Sequence, residues 1–326
     1  TPAGPGPRSR GKEAPMVAHA PAATGTRPHR SRGRRGSSAV AWLFSAPGML
    51  LLGVFLVLPF LLAFYFSFTN ERLISPLPTR WVGLDNYTGI LTDGTFWRAF
   101  VNNVWFVLVV VPAQTALALW LAILVNRPLR GRVFFRTVYF LPVVTVMAAA
   151  AVIWTLLYNP RGLVNAIMET VTFGAFAPDW LNSTTWALPA VIIVSLWQGV
   201  GFQMIILLAA LQDVPDQLYE SAAIDGASRW EQFRHVTLPG IRNGLIFVVT
   251  VTTILAFRLF DQVWIMPRTP GGPLDATRTM MLEMVETGFG QQRIGRGSAV
   301  AVVFFLIVLL IALIQRRFIR EEGEVS

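Results

Sequence analysis

Residues 39–70 read AVAWLFSAPGMLLLGVFLVLPFLLAFYFSFTN, with no Lys, Arg, Asp or Glu. A helix needs about 20 consecutive apolar residues to cross the hydrocarbon of a bilayer, and this run exceeds that. The apolar core of a cleaved leader runs only about 7–15 residues and ends at a small-x-small site. This run is about twice as long and has no such exit, so it reads as a retained span. Over all 326 residues, 54% are hydrophobic and 14% charged, against about 25% charged in an ordinary soluble domain.

Beyond that stretch, uncharged or nearly uncharged runs recur. Six spans are predicted: Val40–Thr69, Ala99–Val125, Val133–Leu157, Thr184–Leu211, Ile241–Met266 and Gly295–Gln315. Pro112, Pro142 and Pro189 fall in or at the ends of spans, where neighbouring helices can re-satisfy freed carbonyls. The expected fold class is all-α: a polytopic membrane protein with six transmembrane helices. The expected division is a disordered basic tail over 1–38, a transmembrane domain over 39–320 with its longest loop at 212–240, and a short C-terminal tail over 321–326.

The net charge is +9, and eight of the 27 basic residues precede Ala39. A basic tail abutting a span reads as a cytoplasmic anchor and not as a nucleic-acid arm. The segment after the second span carries Arg127, Arg130, Arg132 and Arg136 without an acid, and the end of the chain carries Arg316, Arg317 and Arg320. An even number of spans then puts both termini in the cytoplasm. The opposite loops hold Trp81, Tyr87, Trp97, Tyr158 and Trp180, most of them expected to form an aromatic belt at the interface. Cysteine is absent, which excludes thiolate metal sites and cysteine nucleophiles. His19, His29 and His235 are too scattered for a metal site or triad, and no Gly-x4-Gly-Lys-Ser/Thr phosphate loop occurs. Nothing in the chain points to an enzyme or to a resident cofactor.

Between spans four and five, Asp216 is a plausible helix cap after Pro215. Leu218–Ile224 reads as one short helix, Asp225-Gly226 as a turn and Ala227–Thr237 as a second helix, with Pro239 ending it. Trp230, Phe233 and Val236 share a face. Ser221, Ala222, Ala223 and Ala227 would let another backbone come close at the corner. From patterning alone, this is either a docking surface or a hairpin lying on the membrane.

The spacing Glu220-Ser221-Ala222, three residues, Gly226, nine residues, Val236-x-Leu238-Pro239 resembles the EAA motif of binding-protein-dependent ABC importer permeases. Ser221 and Val236 depart from the family's Ala and Ile. Val82-Gly-Leu-Asp-Asn-Tyr87, Arg130–Arg136, Leu141-Pro142, Trp197-Gln198-Gly199, Phe260-Asp261 and Gly271-Gly-Pro273 are similar to the carbohydrate-uptake branch. The resemblance implies the type I importer permease fold in a bacterial inner membrane. It also implies a coupling helix centred on Glu220, Ser221, Ala222, Asp225, Gly226, Val236, Leu238 and Pro239. The implied partners are a second homologous permease, two nucleotide-binding ATPase subunits that hold ATP and Mg, and an external substrate-binding protein.

Polar groups inside spans mark candidate paths. Span four offers Ser195, Trp197, Gln198, Gly199 and Gln203. Span five offers Thr250, Thr252, Thr253, Arg258, Asp261 and Gln262. Gln198 with the aromatic face of Trp197 or Phe202 suits a sugar. Carried over from the resemblance, the path residues are Gln198, Gly199, Phe202, Thr252, Leu255, Ala256 and Leu259. Arg258 and Asp261, three apart, are expected to pair on one helical face. An anionic cargo such as glycerol 3-phosphate or a related polyol phosphate is the alternative that Arg258 suggests. An ion-coupled secondary transporter, which should carry intramembrane acids, has only Asp261 in its favour.

Overall fold

The computed structural model describes residues 1, 4, 34–75, 78–127 and 131–321. The expected disordered tail lies outside these residues except at its end, and so does the C-terminal tail beyond Glu321. Among the described residues the chain is helical, with one isolated bridge between Thr69 and Trp81. It divides into two compact units at Leu56 and Val57.

The first unit contains α1 (Arg34–Leu52), which starts earlier than the predicted span. A π-helical turn at Gly53–Val57 follows and leads into α2 (Leu58–Phe66). Pro59 stands in the first turn of α2, directly after the π-turn. Together these pieces give one apolar stretch, Trp42–Phe66.

In the second unit, to which α2 belongs, α3 (Asp85–Leu91) is followed by α4 (Gly94–Asn126), whose N-cap Asp93 accepts a bond from the Thr95 N–H. The face of α4 carrying Ala99, Asn103, Phe106, Val110, Gln114, Ala118, Leu121 and Val125 is buried. This i, i+3, i+4 stripe packs mainly on α8 (Ala187–Gln212). Trp105, Leu108 and Trp120 on the other face are exposed, which lipid would tolerate.

Between α4 and α8 come α5 (Arg132–Val144), α6 (Met147–Leu157) and α7 (Leu163–Val171). The predicted third span is therefore not straight: α5 and α6 meet at 99°. The break falls at Thr145 and Val146, both in extended backbone conformation. Pro142 removes one N–H from the end of α5, and the Thr145 hydroxyl and N–H both return to the Pro142 carbonyl, closing the helix. Two expected belt aromatics are also core residues. Tyr158 is 1% exposed and donates to the Ala190 carbonyl, and Trp180 is buried and donates to Asn165 Oδ1.

After α8 come α9 (Asp216–Ile224), α10 (Arg229–Gln232), a π-turn at Phe233–Thr237 and α11 (Leu238–Gly240). Then α12 (Arg242–Phe257) stops, and α13 (Asp261–Ile265) restarts three residues later. The carbonyls freed by this break are re-satisfied from elsewhere, as a non-aqueous setting demands. Asn103 of α4 donates to the Phe257 oxygen, and the Thr279 hydroxyl donates to the Leu259 oxygen. A 3-10 turn at Pro273–Asp275, α14 (Met280–Val285) and a π-turn at Glu286–Gly290 lead to α15 (Ile294–Glu321). Among the described residues, five helices are long and apolar enough to cross a membrane, and there are six if the bent α5–α6 pair is one span.

Candidate functional site

Two features stand out, and α8 and α12 connect them. The first is a cavity of about 620 Å³ walled by α4, α8 and the α12–α13 stretch, with Val143 and Met147 from either side of the bend. All seven predicted path residues (Gln198, Gly199, Phe202, Thr252, Leu255, Ala256 and Leu259) line it. Gly199 leaves room for the Gln114 amide, since a Cβ there would lie 1.9 Å from Gln114 Nε2. Aromatic surface comes from Phe202, Phe106 and Phe260. Trp197 turns instead to Trp154, with ring centroids 5.6 Å apart.

The polar groups of spans four and five sort into two sets. Ser195, Gln203, Thr252 and Gln262 face the cavity, whereas Thr253 accepts from Gln315 of α15 at 3.0 Å. The expected pairing of Arg258 with Asp261 does not form: the described residues show no ion pair or hydrogen bond between them. Their i, i+3 relation holds only in a continuous helix, and the chain is broken between Phe257 and Asp261. Both still line the cavity. The sequence reading missed Gln114. Its signal was visible, since Gln114-Thr115 is the one polar pair between Asn103 and Asn126.

The second feature is the segment from Pro215 to Gly240. Pro215, not Asp216, occupies the N-cap of α9, and Asp216 lies in its first turn. The end of α9 is a Schellman closure: Gly226 has φ +82°, its N–H reaches the Ala223 oxygen, and the Ala227 N–H reaches the Ala222 oxygen. Ser228 and Glu231 form a capping box at α10. The hydrogen bonds from Ser228 hold the Glu231 carboxyl below its usual range. Pro239 sits in the first turn of α11, so the helical run goes one residue past it, to Gly240, before the non-helical Ile241 separates it from α12.

The segment has two sides. Glu220, Ser221, Asp225 and Gly226 are exposed, and Ala222 is half-buried beside them. Ile224 and Trp230 are exposed apolar residues, with Trp230 stacked on Phe233. Underneath, Val236 and Tyr219 pack on the buried cluster of Val214, Leu211 and Ile241. The Tyr219 hydroxyl meets Thr237 Oγ1 at 3.1 Å, tying α9 to the π-turn. Leu238 is half-buried and Pro239 exposed. An apolar and acidic ridge is thus presented outward on a base continuous with α8 and α12. Among the described residues, no cluster of His, Asp and Glu could hold a metal ion.

Residues 89–321 match the family described as binding-protein-dependent transport system inner membrane component. The chain is 34% identical to a trehalose/maltose transport system permease protein of Thermococcus litoralis, over 83% of this chain and 90% of that one. It is 32% identical to a lactose transport system permease protein of Rhizobium radiobacter, covering 87% and 94%. Its fold is similar to a chain of a bacterial ABC transporter involved in the import of the acidic polysaccharide alginate, with TM-score 0.73, 21% identity, and coverage of 88% and 96%.

Proposed function

Since this chain belongs to the family of binding-protein-dependent transport system inner membrane components, we propose that it forms half of the path through which an ATP-driven importer carries a carbohydrate across a bacterial inner membrane. Such permeases are not enzymes. On this reading a second permease completes the path, an external binding protein delivers the sugar, and two ATPase subunits bind ATP and Mg. Both termini and the segment around α9 and α10 lie in the cytoplasm. The lactose and trehalose/maltose systems among the relatives support the cargo class.

One observation carries the mechanism. The two helices that flank the exposed segment, α8 and α12, also wall the cavity. A push on the ridge at Glu220–Gly226 is delivered to both walls through the cluster of Val214, Val236 and Ile241. ATP-driven closure of the partner ATPases would then open or close the cavity without any chemistry in this chain. Gln198, Gly199, Phe202, Thr252, Leu255, Ala256 and Leu259 are the proposed path, and Glu220, Ser221, Ala222, Asp225, Gly226, Val236, Leu238 and Pro239 the coupling element.

The test is sugar uptake by cells producing the complete transporter. Gly226→Asp and Glu220→Lys should abolish uptake while leaving the protein in the membrane. Gln198→Ala should shift affinity or selectivity with ATP hydrolysis still coupled. Normal uptake by the coupling variants would falsify the docking assignment, and uptake driven by an ion gradient without ATP would make the chain a secondary transporter. A second reading, import of a polyol phosphate, is favoured by Arg258, a cation on the cavity wall with no acid paired to it among the described residues. Uptake of glycerol 3-phosphate that disappears in Arg258→Gln would select it.

A further inference from the structure

Two helix hydroxyls beside the cavity are arranged alike. Ser195 Oγ donates to the Val191 carbonyl at 2.9 Å, and Thr252 Oγ1 donates to the Val248 carbonyl at 2.7 Å. A hydroxyl has one hydrogen, so each oxygen is left as an acceptor only. Each then takes an amide N–H from across a helix interface. Gln262 Nε2 reaches Ser195 Oγ at 3.3 Å, and Gln203 Nε2 reaches Thr252 Oγ1 at 2.7 Å. Gln114 Nε2 reaches the Ser195 backbone oxygen at 3.1 Å. Flipping any of these amides would set oxygen against a lone pair, so the relays fix which end of each glutamine points where.

The consequence is three amide oxygens with no donor. Gln114, Gln203 and Gln262 are 4%, 3% and 8% exposed, and all three line the cavity. No donor among the described residues reaches their Oε1 atoms, and that of Gln203 is wholly shielded. A buried carbonyl without a partner is unfavourable; the Gln203 oxygen is closed off even from the cavity, so only those of Gln114 and Gln262 can take a donor from that side.

We propose that Gln114 and Gln262 form an acceptor array that reads the hydroxyl donors of a neutral polyol, with Ser195 as the positioning residue that aims it through its hydroxyl and its backbone oxygen. The proposal rests on the carbohydrate reading above and narrows it. Two carbonyl dipoles with their negative ends toward the cavity favour O–H groups and oppose a carboxylate or phosphate at the same place.

The experiment measures uptake by cells producing the complete transporter, first with labelled glucose, lactose, maltose, trehalose and glycerol 3-phosphate, then with monodeoxy analogues of whichever sugar is imported. The variants are Gln114→Leu, Gln262→Leu and Ser195→Ala, with membrane abundance checked by immunoblot. In the wild type, removing the recognised hydroxyl should raise KM about tenfold, the equivalent of about 1.4 kcal/mol. The matching glutamine variant should show the same loss with the parent sugar and no further loss with that analogue. Any discrimination by the binding protein is identical in all variants and cancels in this comparison. Ser195→Ala releases the Gln262 amide, so it should narrow the gap between parent sugar and analogue. It carries the test by itself if the glutamine variants do not reach the membrane. Deoxy penalties of equal size in every variant would overturn the array while leaving sugar import standing. Import of glycerol 3-phosphate and of no sugar would remove the carbohydrate reading and the array together.

Discussion

Gly226 shows what one residue contributes when space is not the constraint. Its φ of +82° lies in the left-handed region, yet nothing sits within 4 Å of where a Cβ would go. Any substitution is therefore penalised through the backbone alone, by about 1–2 kcal/mol for an ordinary L-residue and less for Asn, which tolerates that region. Uptake should fall in the order Gly, Asn, Ala, Val at this position. Equal activity of Asn and Val variants in a transport assay would show that the turn is not held in this conformation when it works. Gly226 was legible in the sequence because Asp-Gly after a short helix has a local meaning. Gly199 was legible only as a position in a resemblance. Its physical role, admitting the Gln114 amide, depends on a residue 85 positions away in the chain (199 − 114), and no local pattern reports it.

Among the elements, the long apolar runs could be read directly, because hydropathy needs no partner to be visible. The breaks could not. Pro142 was noticed, but the 99° bend falls after it, where Thr145 can return its hydroxyl to the backbone. The interruption between α12 and α13 has no proline at all. It persists because Asn103 and Thr279 supply the donors that the broken turn lacks. Asn103 also accepts the Met280 N–H at 2.9 Å, so one buried amide secures the end of α12 and the start of α14. Asn103→Leu should leave both groups unsatisfied, costing about 1–3 kcal/mol for each. Thermal unfolding of the detergent-solubilised protein should move down clearly, whereas Asn102→Ala, which removes donors to two carbonyls nearer the surface, should move it less. Arg258 and Asp261 sit on this broken stretch, which is why their sequence spacing misled. If Asn103→Leu left the melting temperature unchanged, the break would need another support.

At the scale of the molecule, the connection from α13 to α15 must be fixed, since it covers one end of α4 while α12 responds to the coupling segment. Arg278 is its anchor. The guanidinium bonds Asp275 at 2.7 Å, Glu283 at 2.9 Å and Glu286 at 2.5 Å, and Thr287 donates to the other Glu283 oxygen at 2.9 Å. Burial opposes the charge on Arg278, but the hydrogen bonds it donates to Asp275 and Glu286 and their negative charges outweigh it and raise its pKa above the usual range. Asn102 reaches the Asp275 and Arg278 backbone oxygens, so the cluster is fastened to α4 as well. Arg278→Met would strand Glu283, which is 4% exposed, and breaking a buried pair from one side costs about 3–5 kcal/mol. The double variant Arg278→Met with Glu283→Gln should recover part of that loss, because a neutral amide can still accept from Thr287. Arg98 offers the control. Its contact with Asp275 is 3.9 Å long and its side chain 55% exposed, so Arg98→Ala should cost under about 1 kcal/mol. Melting temperatures for the three variants should therefore rank Arg98→Ala highest, the double variant next and Arg278→Met lowest. A double variant no more stable than the single one would mean that Arg278 acts by filling space and not by neutralising Glu283.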